Sequence, residues 1–459
     1  MNVNCLNAEN KVDYIIRENS EVRKGLLLNQ LKRSSNHASG SVAHEMIESF
    51  AVPKDLDDNV RFDYSFEELK AIAAEFGLVE TQDQFKDFLI FALLFCGIRI
   101  GNDEALEYVK TISGFVPGFR FYRVSGLFGT SRITVRVVPN HWKGRFTSHF
   151  VLRGSTIWID NYMLGELKAI FTDSSIFNLS YITENQEGEI VLSVNPFQKC
   201  AQHCRFCFKG TRAMLTSLNE QLVNLSAEEI VRYVEVEYPN YDFSKIIEIV
   251  VLTARFGSLN QLMLFMESFY KEIVRVSNGL FDPNKNDWQR IKVSTHLLTT
   301  REAMEQVYNF GVRRYIYPIE IFNDALRQKY MTSLYYQKGN NKGDASIDEV
   351  YTCLTEAKKV FGADNVEPVV ILGIDTFEDT FRGIQNLKRN GINLLTYNVF
   401  RVYDSDQLEM YHMSLKDILW LQHFISENFK SSFRQKITNS LPNYNRKYRD
   451  IKEKKCSYE

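Results

Sequence analysis

A chain of 459 residues, 44% hydrophobic and 24% charged, is long enough for one large folded domain and a further smaller one. Its formal net charge of -2 gives no global attraction to nucleic acid or to an anionic membrane, and no apolar run approaches the roughly 18 residues of a membrane-crossing helix. The polar, acid-bearing start MNVNCLNAENKVDYIIREN lacks the basic and apolar regions of a secretory signal, so a cytoplasmic protein is expected.

In chain order, residues 1 to about 112 read mostly helical. Ser65 with Glu68 three places on is a capping box before FEELKAIAAEF, and DQFKDFLIFALL from Asp83 is apolar almost all round, as a buried helix is. From about 118 to 195 the texture turns to strand. FRFYRV (119–124), RITVRVV (132–138) and FVLRGSTIWID (150–160) cluster β-branched and aromatic residues. Residues 1–185 therefore read as an α+β accessory region. From Glu189 the pattern alternates. Short Val/Ile-rich strands are predicted at 190–194, 246–253, 291–295, 314–319, 366–372 and 394–400, separated or followed by amphipathic helices at 258–275, 300–309, 346–361, 376–390 and 414–428. Six such units predict an α/β fold, a partial (β/α)6 TIM-like barrel over 186–405, with chemistry beyond the C-terminal strand ends. Residues 406–459 form a C-terminal helix and tail; from Lys430 the tail carries nine Lys or Arg against three acids, which reads as a solvated segment.

Seven cysteines occur in the chain, and three of them, Cys200, Cys204 and Cys207, fall directly after the first of those strands. In a reducing compartment clustered thiols hold metal or do chemistry more often than they form disulfides. Structural zinc wants four closed ligands, usually two Cys-x2-Cys pairs; no second pair exists, although His203 could serve as a fourth ligand. Three thiolates suit a [4Fe-4S] cube with one iron left open to a ligand. Cys5, Cys96, Cys353 and Cys456 are scattered and read as buried or free thiols.

The Cys200-x3-Cys204-x2-Cys207 loop, with aromatic Phe206 before the last cysteine, resembles the signature of the radical S-adenosylmethionine (radical SAM) enzymes, and the resemblance covers about 190–405. It implies one [4Fe-4S] cluster on the three cysteines, with S-adenosylmethionine (SAM) on the open iron. It also implies an electron donor such as a flavodoxin or ferredoxin, and hydrogen abstraction from substrate by a 5′-deoxyadenosyl radical. The family's Gly-Gly-Glu turn after the second strand is replaced here by LTARFGS (252–258), so only its location carries over, to backbone groups of Thr253 and Ala254. Ser294 and His296 at the third strand end, Glu320 at the fourth, and Arg327 on the next helix match places where relatives hold the SAM ribose and carboxylate. Gly373 after the fifth strand and Val399 on the sixth match backbone that packs on adenine. Glu320, His296 and Arg401 are the catalytic candidates.

The expected function is radical chemistry on a small polar metabolite: rearrangement, elimination, oxidation or C–C bond formation. A peptide or RNA substrate, and a non-catalytic zinc or iron-sulfur protein, are the alternatives. Only Cys353 and Cys456 lie downstream, so no further cluster module is expected. Oligomeric state is not legible.

Overall fold

A computed structural model describes residues 60–112, 123–128, 131–168, 180–184, 190–194, 202, 204–207, 246–252, 256, 258–276, 291–332, 341–400 and 405–430. The predicted capping box is present. Ser65 Oγ accepts from the Glu68 amide while the Glu68 carboxylate accepts from the Ser65 amide, starting α1 (Phe66–Glu75). Thr81 and Gln84 make the same reciprocal pair at α2 (Gln82–Cys96), which is buried continuously from Phe88 to Cys96. The continuous apolar run explains this: α2 is wrapped by other elements rather than laid on one surface.

Short β1 (Arg99–Ile100) and α3 (Asp103–Ile112) lead into β2 (Arg123–Phe128), β3 (Ser131–Arg136), β4 (Phe150–Arg153), β5 (Thr156–Ile159) and β6 (Tyr162–Lys168). Their order is β1-β4-β5-β6-β2-β3. The ring closes where Ile98 bridges Val137: the Ile98 amide donates to Arg136 O and the Val138 amide to Ile98 O, both at 2.8 Å. The β-rich stretch is thus a small closed six-stranded barrel, which removes its sheet edges. Residues 150–160, read from sequence as one β segment, are instead a hairpin, with β4 and β5 antiparallel about Arg153 and Thr156. Gly154 takes a positive φ of 56° in the turn.

The second sheet has the order β13-β12-β11-β10-β9-β8-β7. Its strands are β7 (Ser180–Glu184), β8 (Ile190–Val194), β9 (Ile246–Leu252), β10 (Ile291–Ser294), β11 (Arg314–Glu320), β12 (Val366–Leu372) and β13 (Thr396–Val399). Strands β8 to β13 are parallel, and β7 adds antiparallel to β8. Helices α4 (Leu259–Val276), α5 (Arg301–Asn309), α6 (Asp324–Met331), α7 (Ile347–Phe361) and α8 (Phe377–Arg389) lie between these strands, and α9 (Leu415–Asn428) follows the last. The two edge strands are not paired with each other, so this is the partial barrel the sequence predicts. β7 falls inside the span read as the accessory region, and α6 is an extra short helix between β11 and α7.

Alternation along β11 sorts its faces. Tyr315 stacks on Phe361 of α7 at 5.7 Å and donates to Leu298 O, so it faces the helices. Arg314, Ile316 and Pro318 take the other face, toward the barrel interior. At the N-terminal floor of that interior, Lys292 Nζ of β10 reaches Glu367 Oε2 of β12 at 2.9 Å, with both side chains at most 1% exposed. Burial alone would raise the Glu367 pKa, but Lys292, the Thr396 hydroxyl and the Arg314 charge outweigh it and hold the carboxyl at about 2.

The two units meet at Tyr411. Its ring contacts Phe62 and Phe95 of the accessory unit and Phe400 beyond β13, at centroid separations of 5.3, 5.5 and 4.8 Å. Its hydroxyl donates to Phe400 O at 2.7 Å. No helix among the described residues is long and apolar enough to cross a membrane.

Candidate functional site

The site is built where the parallel strands end. Cys204 and Cys207 share one tight turn, with the Cys207 amide donating to Cys204 O at 2.9 Å. Cys204 and Phe206 are 5% and 4% exposed, and Cys207 is half-buried. On the outer side of this loop, the Arg205 amide donates to Tyr330 O at the end of α6, and Gln407 Nε2 donates back to Arg205 O. The Arg205 guanidinium pairs with Glu409 at 3.2 Å. On the inner side lies Gln202, fully buried. Its Oε1 accepts from the Lys342 amide at 3.0 Å, and its Nε2 lies 3.3 Å from His296 Nε2. These contacts bring the thiol loop against the exits of β10 and β11.

Glu320 ends β11 with φ +64°, one of two non-glycine residues with positive φ among those described. The Ile321 amide donates to Ile319 O at 2.8 Å, so Glu320 is the centre of a three-residue turn of the rarer, strained hand. The register with β12 also shifts here, between Pro318 and Glu320. Its carboxylate takes both bonds from Lys342 Nζ, at 3.0 Å each. The loop 341–345 brings this Lys342 partner to the strand end. Lys342 is 6% exposed, so its ammonium would be poorly solvated without this carboxylate.

Arg327 differs from its expectation. It is fully buried, and its guanidinium donates to four backbone carbonyls: Ile319 and Ile321 on either side of Glu320, Lys342, and Ala345. With its fork filled this way, it scaffolds the Glu320 turn and the Lys342 loop rather than facing a ligand. Gly343 lets that loop approach: an added Cβ would stand 2.5 Å from Arg327 O. Asp375, 1% exposed after β12, completes the support by accepting from the Phe322 and Asn323 amides at 2.6 and 3.1 Å. Burial pushes its pKa up to about 6, against the pull of those two amides.

The other expected residues divide. Ser294 is half-buried at the end of β10, and His296 is 7% exposed and joined to the thiol loop. Val399 pairs with Leu372 in the sheet. Gly373 has φ +111° and its carbonyl accepts from the His412 amide; an added Cβ would meet Phe400 at 3.3 Å and the Tyr411 ring at 3.5 Å. This glycine therefore allows Phe400 and Tyr411 to pack closely on its α-carbon. Cys200, His203, Thr253, Ala254 and Arg401 lie outside the described residues. Gln202, Lys342 and Asp375 were not singled out by sequence reasoning. Only Gln202, midway between two motif cysteines, carried a positional signal.

Among the described residues no group of three metal-ligating side chains is assembled, since the motif's first cysteine lies outside them. The donor chemistry nevertheless fits an iron-sulfur cluster. Two thiols share one turn, anchored on both sides, with a third cysteine four positions earlier in the chain.

No protein-family model and no curated protein matches the sequence. Solved structures do. The hydrogenase maturase HydG is 16% identical with TM-score 0.35 over 55% of this chain and 50% of that one. Methylornithine synthase is 13% identical with TM-score 0.35 over 52% and 63%. The radical S-adenosylmethionine methyltransferase TsrM from Kitasatospora setae, solved with cobalamin and a [4Fe-4S] cluster, is 12% identical with TM-score 0.32 over 46% and 37%. The chain thus spans less than two thirds of the length of each. Similarities this low carry no argument for function, and the fold is read from the strands themselves.

Proposed function

We propose that this chain is a radical SAM enzyme acting on a small polar metabolite. One observation carries the reading: cysteines with Cys-x3-Cys-x2-Cys spacing follow the first strand of a parallel partial barrel, and the two that are described sit on a doubly anchored turn at the strand exits. Cys200, Cys204 and Cys207 would hold one [4Fe-4S] cluster. When bound, that cluster supplies the electron for reductive cleavage of SAM to the 5′-deoxyadenosyl radical, which takes hydrogen from the substrate. Backbone at Thr253, Ala254 and Val399, with Ser294 and His296, would line the SAM site. Glu320 and Lys342 offer one charge of each sign at the mouth, which favours a polar ligand. Asp375 and Arg327 hold Glu320 in its turn. Arg401 remains a substrate-binding candidate. A cytoplasmic flavodoxin or ferredoxin would supply electrons.

Anaerobic reconstitution tests this reading. About four irons per chain are expected, with 5′-deoxyadenosine formed from SAM and dithionite, and both lost in Cys204→Ala. One zinc and no iron would select a zinc protein. Four irons without 5′-deoxyadenosine would overturn SAM cleavage. Deuterium passing from candidate metabolites into 5′-deoxyadenosine identifies the substrate, and a co-purifying peptide or RNA would replace the metabolite.

A further inference from the structure

The thiol loop is anchored on its outer side at Arg205, through its backbone and its pair with Glu409, and on its inner side at Gln202. The inner anchor differs in kind. The outer contacts tie the loop to the end of α6 and to the 3-10 helix Ser405–Met410. Gln202 instead ties it to the strand exits where Glu320 and His296 lie. Its position in the chain adds to this, since it stands two residues after Cys200 and two before Cys204.

The hydrogen-bond inventory fixes how its amide points. The Lys342 backbone N–H can only donate, so the atom facing it at 3.0 Å is Oε1. Nε2 is then directed at His296 Nε2, 3.3 Å away, and donates to it. His296 must present a lone pair there, which assigns its ring proton to Nδ1. One side chain thereby sets the loop position on one side and a histidine tautomer on the other.

The chain of contacts continues through Lys342, which is gripped at three atoms. Its amide donates to Gln202, its carbonyl accepts from Arg327 Nη2 at 2.9 Å, and its Nζ holds both Glu320 oxygens. A shift of the thiol loop relative to Glu320 must therefore strain or break a contact of Lys342. Because Gln202 is fully buried, breaking its bonds leaves polar groups that water cannot easily reach.

We propose that Gln202 is a positioning residue: its amide latches the cysteine loop to the exits of β10 and β11 and so fixes Cys204 and Cys207 relative to Glu320 and His296. In its cluster-bound form this rests on the radical SAM reading; in the metal-free protein it does not.

Gln202→Leu keeps the volume and removes both bonds. In the metal-free full chain, Cys204 is 5% exposed and should react slowly with iodoacetamide. Gln202→Leu is expected to speed its alkylation at least about tenfold, the effect of losing two buried hydrogen bonds on local opening. In the reconstituted protein, the same variant should keep about four irons but change the electron paramagnetic resonance g values and the midpoint potential of the reduced cluster with SAM. It should also lower 5′-deoxyadenosine formation about tenfold, as supporting-residue changes around metal sites do. On the alkylation rate of the metal-free chain, His296→Ala should add little to Gln202→Leu, because both remove the same contact. Unchanged alkylation overturns the latch, whatever the cluster does. Faster alkylation in a protein that binds no iron upholds the latch and overturns the cluster reading instead. If Gln202→Leu does not fold, Gln202→Met, which also lacks both bonds at similar volume, takes its place, and the same alkylation and g-value comparisons decide.

Discussion

At the scale of single residues, the site's most informative feature is the backbone of Glu320. A side chain in the left-handed region carries about 1–2 kcal/mol of steric strain. Here that strain is held by Arg327 on the flanking carbonyls and by Asp375 on the following amides. The carboxylate could be presented without strain from an ordinary strand end, so the turn serves to aim it back toward Lys342. Comparing two variants isolates the strain, because Glu320→Ala and Glu320→Gly both lose the ion pair with Lys342. Glycine avoids the strain but pays about 0.5–1 kcal/mol in unfolded-chain entropy. Glu320→Gly is thus expected to be the more stable by roughly 0.5–1 kcal/mol in denaturant titration. Alanine ahead by about 0.5–1 kcal/mol, the full entropy cost of glycine, would mean that the turn carries no strain. The sequence marked Glu320 as an acid on an apolar strand, but its partner comes from 22 residues downstream through a loop, which no local pattern encodes. The same limit hid Gln202 and Asp375, whose partners are 140 and 53 residues away.

Elements were more legible, because their causes are local. The capping box at Ser65 appears where its spacing requires, and α7 and α8 form within the segments 346–361 and 376–390 that read as helical. Among the described side chains, 249–251, 291–293 and 315–319 are buried on both faces of their strands, as their mostly apolar runs imply. Lys292 and Glu367 break that pattern at the barrel floor, and they do so as a pair. Removing one partner strands a buried charge, so Lys292→Met is expected to destabilise by about 3–5 kcal/mol, and Lys292→Met/Glu367→Leu to recover most of that loss. The pair also sets a pH dependence. The folded carboxyl titrates at about 2, against an ordinary 4.5 when the chain is unfolded. Between those values the unfolded chain binds the extra proton. The pair's contribution is therefore fully present above about pH 4.5 and is lost as pH falls toward 2. Denaturant titrations from pH 5 to 2.5 should show this slope in the wild type and a shallower one in the double variant. Equal slopes would assign the acid sensitivity to other groups.

At the scale of the whole molecule, alternating strands and helices imply a partial barrel, and β texture alone implies a sheet. Closure of β1–β6 into a ring was not legible, because it depends on one parallel bridge, Ile98 to Val137, between segments that look unrelated. Nor did the sequence indicate where the accessory unit docks, since Phe62, Phe95 and Tyr411 are ordinary core aromatics until the fold brings them together. Tyr411 joins the two units, because its ring packs on the accessory phenylalanines while its hydroxyl binds Phe400 O next to the last strand. The Lys416–Glu75 pair also joins them, but it is exposed on both sides and is worth about 1 kcal/mol at most. The aromatic contact therefore dominates the coupling near this point. Tyr411→Ala is expected to destabilise by about 3–5 kcal/mol, in the range of large aromatic truncations. Calorimetry should then resolve two unfolding transitions where the wild type gives one, because each unit keeps its own core while the shared one is lost. Tyr411→Phe, which keeps the ring packing and loses only the hydroxyl bond, should retain a single transition lowered by about 1 kcal/mol. A single transition in Tyr411→Ala as well would mean that the units are coupled elsewhere.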